Sequence, residues 1–274
     1  MPELPEAETI AVELHRHLAD QVVGRVTVLR KDVIHGDPRP LTKVLRRRRI
    51  KRVYRRAKRV VLELEPGADL VFRLGMSGQL TLEKVDAPTK RHTHVRIVFP
   101  SLNKELRFCD PRRFGGVWCL AGHKRHVGTR MGDVGVEPLD TNLGVFAELL
   151  CRRRQIKALL MDQSVIAGLG NIYCDEALYA ARIHPLTPAR NIDRAQANKL
   201  LRSIKSILRK AIEHQGSTLS DYRRVGGEDG GFQQFHRVYG REREPCHSCG
   251  TKILRIQAMG RSTHLCPRCQ VLDP

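Results

Sequence analysis

The sequence has no apolar run approaching the roughly 20 residues of a membrane-spanning helix. It also lacks the basic-then-apolar N-terminal layout of a secretory signal, and it has no internal repeat. The first absence excludes a helical membrane protein, and the second points to an intracellular location. Acidic residues are scarce: 29 Asp and Glu stand against 49 Lys and Arg, a formal net charge of +20. Such an excess implies a polyanionic partner, either nucleic acid or an anionic membrane surface. With no span and no signal, nucleic acid is the better expectation. A hydrophobic content of 41% fits a folded chain, and 274 residues allow one large domain or two to three smaller ones.

Four of the eight cysteines, Cys109, Cys119, Cys151 and Cys174, are scattered, and in a reducing compartment they read as small buried hydrophobes. The other four form C246-H-S-C249, sixteen residues, then C266-P-R-C269, a tetrathiolate spacing for one zinc ion. Four sulfurs leave no open coordination position, so this metal is expected to be structural. Between the two knuckles, KILRIQ and STHL pair as a hairpin with AMGR at the tip. That arrangement exposes Arg261 and suits it to a phosphate contact.

Residues 5–19 read as a helix, with Pro5 in the first turn, Glu6 and Glu8 beside it, and Ile10, Leu14 and Leu18 along one face. Short β-rich runs follow at 60–65, 70–74, 79–83, 94–99 and 116–120, separated by Gly, Pro and Asp turns, which suggests a sandwich or barrel. The stretch 121–135 is polar and Gly-rich, like a linker. From 143 to 215 the pattern is helical, and 216–235 reads as a mobile loop. Residues 43–59 hold eleven Lys and Arg and no acid. They form either a solvated face or a polyanion contact. Lys58 closes this run, just before the apolar strand VVLELE.

The first residues, MPELPE, place carboxylates around the N-terminus of a basic protein. Removal of Met1 is expected because Pro2 is small, and it would leave Pro2 as a free secondary amine. An α-amino group titrates near 8, closer to its nucleophilic form than a lysine. A secondary amine condensing with an aldehyde-like carbon gives an iminium ion, an electron sink for elimination, with nearby carboxylates moving protons. The helix dipole lowers the amine pKa and the carboxylates raise it. The alternative is capping chemistry alone, Pro and Glu being common in a first helical turn.

MPELPE, RRAKRVVLEL, LGMSGQL, DPRRFGG, GVEPL, IAGLGNIYCDEAL, QFHRVYGREREPC and GRSTHLCPRCQ together resemble the bacterial formamidopyrimidine-DNA glycosylases, in collinear order over nearly the whole chain. Leu4 follows that branch rather than the endonuclease VIII branch, which opens MPEGPE. The resemblance implies an α+β multidomain protein: an N-terminal helix plus β-sandwich (1–125), a linker (126–137), a helical domain with a helix–two-turn–helix element (138–238) and a zinc ribbon (239–274). It implies excision of oxidised purines from double-stranded DNA, then strand cleavage at the abasic sugar, by a cytoplasmic monomer carrying one structural Zn2+ on Cys246, Cys249, Cys266 and Cys269.

By the same resemblance Pro2 is the nucleophile and Glu3 the acid that helps open the sugar, supported by Glu6. Lys58 is the proton donor for β-elimination and Arg261 the donor for δ-elimination. Met76, Arg112 and Phe114 fill the gap left by the extruded base. His92, Arg152, Asn171 and Lys157 contact DNA, and loop 217–232 closes over the lesion. Taken alone, Met76 and Phe114 read as core packing. Arg73 stands where many relatives have histidine, and Arg152 where the pattern has lysine. Two other readings remain: a non-catalytic zinc-ribbon DNA-binding protein, and an oxidised-pyrimidine glycosylase of the endonuclease VIII type.

Overall fold

The computed structural model describes residues 2–36, 39–121 and 134–272. The chain divides into two compact units. The first holds the described residues up to 121 together with 214–231, and the second holds 134–213 with 232–272.

The first unit opens with α1 (Leu4–Leu18), whose buried Ile10, Leu14 and Leu18 form the face expected from their spacing. β1 (Val26–Val28), β7 (Thr93–Phe99), β8 (Lys104–Cys109) and β6 (Gln79–Lys84) make a four-stranded antiparallel sheet in that order. β2 (Ile34–Gly36), β9 (Gly116–Ala121), β5 (Ala68–Arg73), β4 (Arg59–Glu65) and β3 (Arg49–Arg56) make a second sheet, antiparallel except for the β2–β9 pair. A short α2 (Leu41–Leu45) precedes β3. One core joins α1 to both sheets through residues such as Leu62, Phe72, Ile97 and Phe108, so the expected sandwich is present. β4 is buried on both faces, with Val61 packing among Val71 and Leu120 on the side away from that core. This is why VVLELE reads as a continuous apolar run.

The basic run itself becomes the edge strand β3, a strand that its charge conceals in the sequence. Ile50 and Val53 face inward, and a register shift between Ile50 and Arg52 leaves both Lys51 and Arg52 in solvent. Cations on an edge strand oppose pairing with another chain's edge.

The second unit contains α3 (Leu143–Leu150), α4 (Ile156–Met161), α5 (Asn171–Ala181) and α6 (Arg194–Glu213). α3 is capped by Asn142, whose Oδ1 accepts from Val145 N–H. α6 buries Leu200, Leu201, Ile204 and Leu208 along one stripe, whereas α5 is buried over most of its length. β10 (Leu254–Ala258) and β11 (Arg261–Leu265) pair antiparallel around a two-residue turn, Met259–Gly260, both left-handed. This ribbon belongs with the helices, because Tyr179, Val238 and Ile253 pack with Cys246 and Cys266. Of the expected linker 126–137, residues 126–133 lie outside the described residues.

Two expectations need correction. Residues 216–231 are anchored to the first unit rather than loose: Tyr222 and Val225 lie in the sandwich core, and Val225 C=O accepts from Leu82 N–H at 3.1 Å. Cys151 is exposed, unlike Cys109, Cys119 and Cys174, because it caps the solvent end of α3. No helix among the described residues is long and apolar enough to cross a membrane.

Candidate functional site

Glu3 is the N-cap of α1 and forms a reciprocal box with Glu6. Its side chain accepts from Glu6 N–H, and Glu6 Oε2 accepts from Glu3 N–H at 2.8 Å. Both acids are buried, 2% and 1% exposed, at the positive end of the helix, where the dipole favours carboxylates. Pro2, also buried, directly precedes this cap. The capping chemistry expected as an alternative is therefore present, and it concentrates two carboxylates at the backbone that follows Pro2. The second Glu6 oxygen accepts from Ser217 N–H at 2.8 Å. Gly216 has φ +77°, and a Cβ there would meet that same carboxylate oxygen at 2.8 Å, so only glycine lets the loop close on Glu6.

Lys58 sits in the two-residue turn joining β3 to β4, where Arg56 pairs with Arg59 and Ala57 is left-handed. It is half-buried. The turn is tied to α1 by Arg55, which donates through Nε to Glu8 Oε2 at 2.6 Å and through Nη1 to Ala57 C=O at 3.1 Å.

Met76 and Phe114 are 38% and 49% exposed, which removes the core-packing reading for both. They project from two loops fastened together from within. Asp110, fully buried, accepts from Ser77 Oγ at 2.6 Å and from Gly115 N–H at 2.8 Å. Ser77 Oγ accepts in turn from Arg112 N–H at 3.2 Å. Gly75, at φ +63°, lies so close that a Cβ would meet Gly115 N at 2.6 Å. Arg112 stacks its guanidinium 4.8 Å from the Phe114 ring. Arg73 donates through Nη2 to Phe114 C=O at 3.0 Å and so braces this loop. His92 is exposed, with φ +64°, and its carbonyl accepts from Asp110 N–H at 3.1 Å.

In the second unit, Asn171 opens α5 and donates through Nδ2 to Ser262 C=O at 2.8 Å. Its buried Oδ1 has no hydrogen-bond partner among the described residues. Arg261, exposed, begins β11 and pairs with Ala258. Arg152 is exposed just past α3. Lys157 departs from its expected place as a DNA contact: it is 0% exposed. Its ammonium donates to Asp175 Oδ1 at 2.6 Å, to Thr263 Oγ1 at 2.7 Å and to Ser262 C=O at 3.4 Å. Asp175 Oδ2 accepts from His264 N–H at 2.9 Å. A buried ammonium with its donors spent on protein has none to offer a phosphate. Lys157 instead holds the strand that carries Arg261.

Cys246, Cys249, Cys266 and Cys269 bring their sulfurs within 4.8 Å of one another, with Cys246–Cys269 at 3.9 Å and Cys249–Cys266 at 3.4 Å. A tetrahedral ion with bonds of about 2.3 Å requires sulfurs about 3.8 Å apart, so the four fit one zinc ion. Tyr179 Oη lies 3.2 Å from Cys246 Sγ and 2.9 Å from Ser248 Oγ, orienting the first knuckle from α5.

Sequence reading missed the residues that act behind this surface: Glu8 with Arg55, Ser77 with Asp110, and Glu13 with Arg224. In each pair the partner is 33 or more residues away in the chain, so no local signal marks the pair.

A β-sandwich entered by an acid-capped N-terminal helix, a helical module and a tetrathiolate ribbon in one chain define a class of three-module zinc-ribbon proteins. Residues 1–117 match the formamidopyrimidine-DNA glycosylase N-terminal domain, residues 134–223 its H2TH domain, and residues 243–271 the zinc finger found in FPG and IleRS. The chain belongs to the formamidopyrimidine-DNA glycosylase family. It is 43% identical to the Herpetosiphon aurantiacus formamidopyrimidine-DNA glycosylase, covering 98% of this chain and all of that protein. It is 42% identical to the Thermus thermophilus enzyme, with both chains fully covered. Among solved structures, a Lactococcus lactis FPG mutant in complex with Fapy-dG-containing DNA superposes with a TM-score of 0.92 at 32% identity, covering 99% of this chain and all of that one. The Thermus thermophilus MutM (FPG) crystal structure gives a TM-score of 0.87 at 39% identity, with both chains fully covered.

Proposed function

We propose that this protein is a bifunctional DNA glycosylase and abasic-site lyase of base excision repair, acting on oxidised purines in double-stranded DNA. The observation that carries the reading is the pair of buried acids, Glu3 and Glu6, locked around the backbone that follows Pro2. Related solved structures are complexes with DNA containing Fapy-dG or an abasic site, which is the substrate class assigned here.

A base inside a duplex is out of reach, so the nucleotide is flipped out at a cost of a few kcal/mol. Met76, Arg112 and Phe114 enter the vacated stack: one adaptable apolar chain, one planar donor fork and one ring. Exposed Arg152 and His92, with half-buried Asn171, take phosphates. With Met1 removed, the Pro2 nitrogen bonds to the sugar C1′ as the bond to the base breaks, and Glu3 protonates the ring oxygen as the sugar opens. The resulting iminium accepts the electron pair when the C2′ proton leaves, and the 3′ phosphate departs. A second elimination expels the 5′ phosphate. Lys58 and Arg261 are the proton-transfer groups of these two steps. The zinc ion holds the ribbon's two knuckles together and takes no part in the chemistry. The domains are residues 1–125, 138–238 and 239–274, except that 214–231 fold with the first, and loop 217–232 closes over the base. The protein works as a cytoplasmic monomer.

Borohydride trapping across a small lesion panel tests the reading. A reduced covalent adduct at Pro2 with 8-oxoguanine or abasic DNA is expected, and Pro2→Gly should severely reduce lesion cleavage. An adduct on another residue, or undiminished trapping with a blocked N-terminus, rejects the mechanism. A preference for thymine glycol over 8-oxoguanine opposite cytosine assigns the oxidised-pyrimidine class instead. Binding without cleavage assigns a non-catalytic protein.

A further inference from the structure

We propose a second DNA-binding site on the first unit, formed by Arg25, Lys43, Arg46, Arg47 and Arg49, that takes the phosphate backbone of another duplex segment while the catalytic end holds the first. The inference rests on the reading that DNA is the substrate, and it concerns a surface that the mechanism does not use.

These five cations are exposed and adjoin one another in the fold. Lys43 lies in α2, Arg46 caps its end, and Arg47 and Arg49 lead into β3. The segment carrying Arg25 runs alongside, since Arg47 N–H donates to Val23 C=O at 2.9 Å and Val23 N–H to Arg48 C=O at 2.8 Å. Further along the same strand the charge is neutralised: Lys51 and Arg52 both reach Glu63, at 3.1 and 2.6 Å. Among the described residues, no carboxylate forms an ion pair with Lys43, Arg46, Arg47 or Arg49, although exposed Asp20 adjoins Ile50. Arg47 also adopts φ +60°, a conformation that favours Gly or Asn, so a cation is held where the backbone asks for neither its charge nor its side chain.

The patch is remote from the chemistry. Asp20 N–H donates to Ile50 C=O at 2.8 Å, which sets the start of β3 beside the C-terminal end of α1. Pro2 and the Lys58 turn lie at the opposite ends of the same two elements, about 22 Å along the helix and about 23 Å along the strand. That exceeds the Debye length of about 8–10 Å at physiological salt, so phosphates held at the catalytic end do not screen the patch. Cations this dense repel one another, and a second backbone relieves the repulsion by releasing counterions.

The test compares the wild-type chain with a triple variant, Arg46→Ser, Arg47→Asn and Arg49→Ser, all at exposed positions. With labelled lesion duplex bound, dissociation of the wild-type complex should accelerate as unlabelled undamaged duplex is added, because the patch captures the incoming segment first. The variant should lose that dependence while keeping wild-type single-turnover cleavage. Its log–log salt slope for undamaged duplex should shrink by about 0.9 per phosphate contact removed. Competitor-independent dissociation of the wild type overturns the proposal. So does a salt slope that falls for the first bound duplex with no competitor effect, which would place the patch on the flank of the same DNA. Capture of anionic vesicles with no effect of duplex also overturns it. Because undamaged duplex reports on the patch, the result does not depend on whether lesion chemistry occurs.

Discussion

Glu13 on α1 receives Arg224 through Nε at 2.7 Å and Nη2 at 2.6 Å on one carboxylate oxygen, and Val225 N–H at 3.1 Å on the other. The pair is mostly buried and spans more than two hundred residues of sequence, so it fixes the loop that is proposed to close over a damaged base. Glu13→Gln removes the charge but keeps the length. Excision of 8-oxoguanine should fall about tenfold or more, since each 1.4 kcal/mol of lost loop closure is a factor of ten. Cleavage at a preformed abasic site has no base to enclose and should stay within twofold. Equal losses in the two assays would assign Glu13 to general stability instead.

Glu3 caps α1, and the proposed mechanism gives it a second, separable duty in chemistry. Glu3→Gln retains an oxygen that accepts from Glu6 N–H, so urea unfolding should be nearly unchanged, whereas borohydride trapping should fall severely. Glu3→Ala should add a loss of about 1 kcal/mol in stability. A Gln variant with wild-type trapping would leave Glu3 as a cap alone.

Lys157 and Asp175 form a buried pair, and removing the ammonium strands a carboxylate in the interior. Lys157→Met should cost roughly 3–5 kcal/mol. The double variant with Asp175→Asn should recover part of that loss, and the salt slope of DNA binding should not change. A slope reduced by about 0.9, with little lost stability, would restore the direct phosphate contact.

His236 packs against Phe232 and Tyr239, and burial pushes its imidazole down to about 4. Its folded value lies below the unfolded one, so the unfolded chain binds the extra proton. The stability that the neutral ring contributes is present above about pH 6.5 and is lost as pH falls toward 4. The loss at the acid end should approach roughly 3 kcal/mol. His236→Gln should flatten the melting temperature against pH over that window. An identical slope in the variant would assign the effect to other groups.

Zinc analysis should find one ion per chain, and chelation should unfold the ribbon and abolish lesion cleavage while leaving the sandwich folded. Tyr179→Phe removes the hydroxyl beside Cys246 and should weaken zinc retention about tenfold. Unchanged retention would make that contact incidental.

Much is legible in one dimension, for physical reasons that differ by element. The C-x-x-C pairs announce their metal because two ligands of one ion must sit within a single turn of chain. α1 is visible because Ile10, Leu14 and Leu18 repeat at the helical period. β3 is hidden: on the core side its inward residues are only Ile50 and Val53, a bulge breaks the alternation, and, Tyr54 aside, cations fill the remainder. Residues 216–235 read as mobile because glycine and charge suggest it, whereas Glu6 and Glu13, far away on α1, hold residues 217–225, and Tyr222 and Val225 sit in the sandwich core.

The amino-acid order alone determined the family resemblance, the metal ligands and the chemical types gathered at the N-terminus, because those depend on spacing within short segments. Tertiary structure decided which acids are buried, that Met76 and Phe114 face solvent, that Lys157 faces a carboxylate rather than a phosphate, and which cations of the basic run meet an acid. Burial and charge pairing are set by residues tens to hundreds of positions apart, and only the folded chain brings them together.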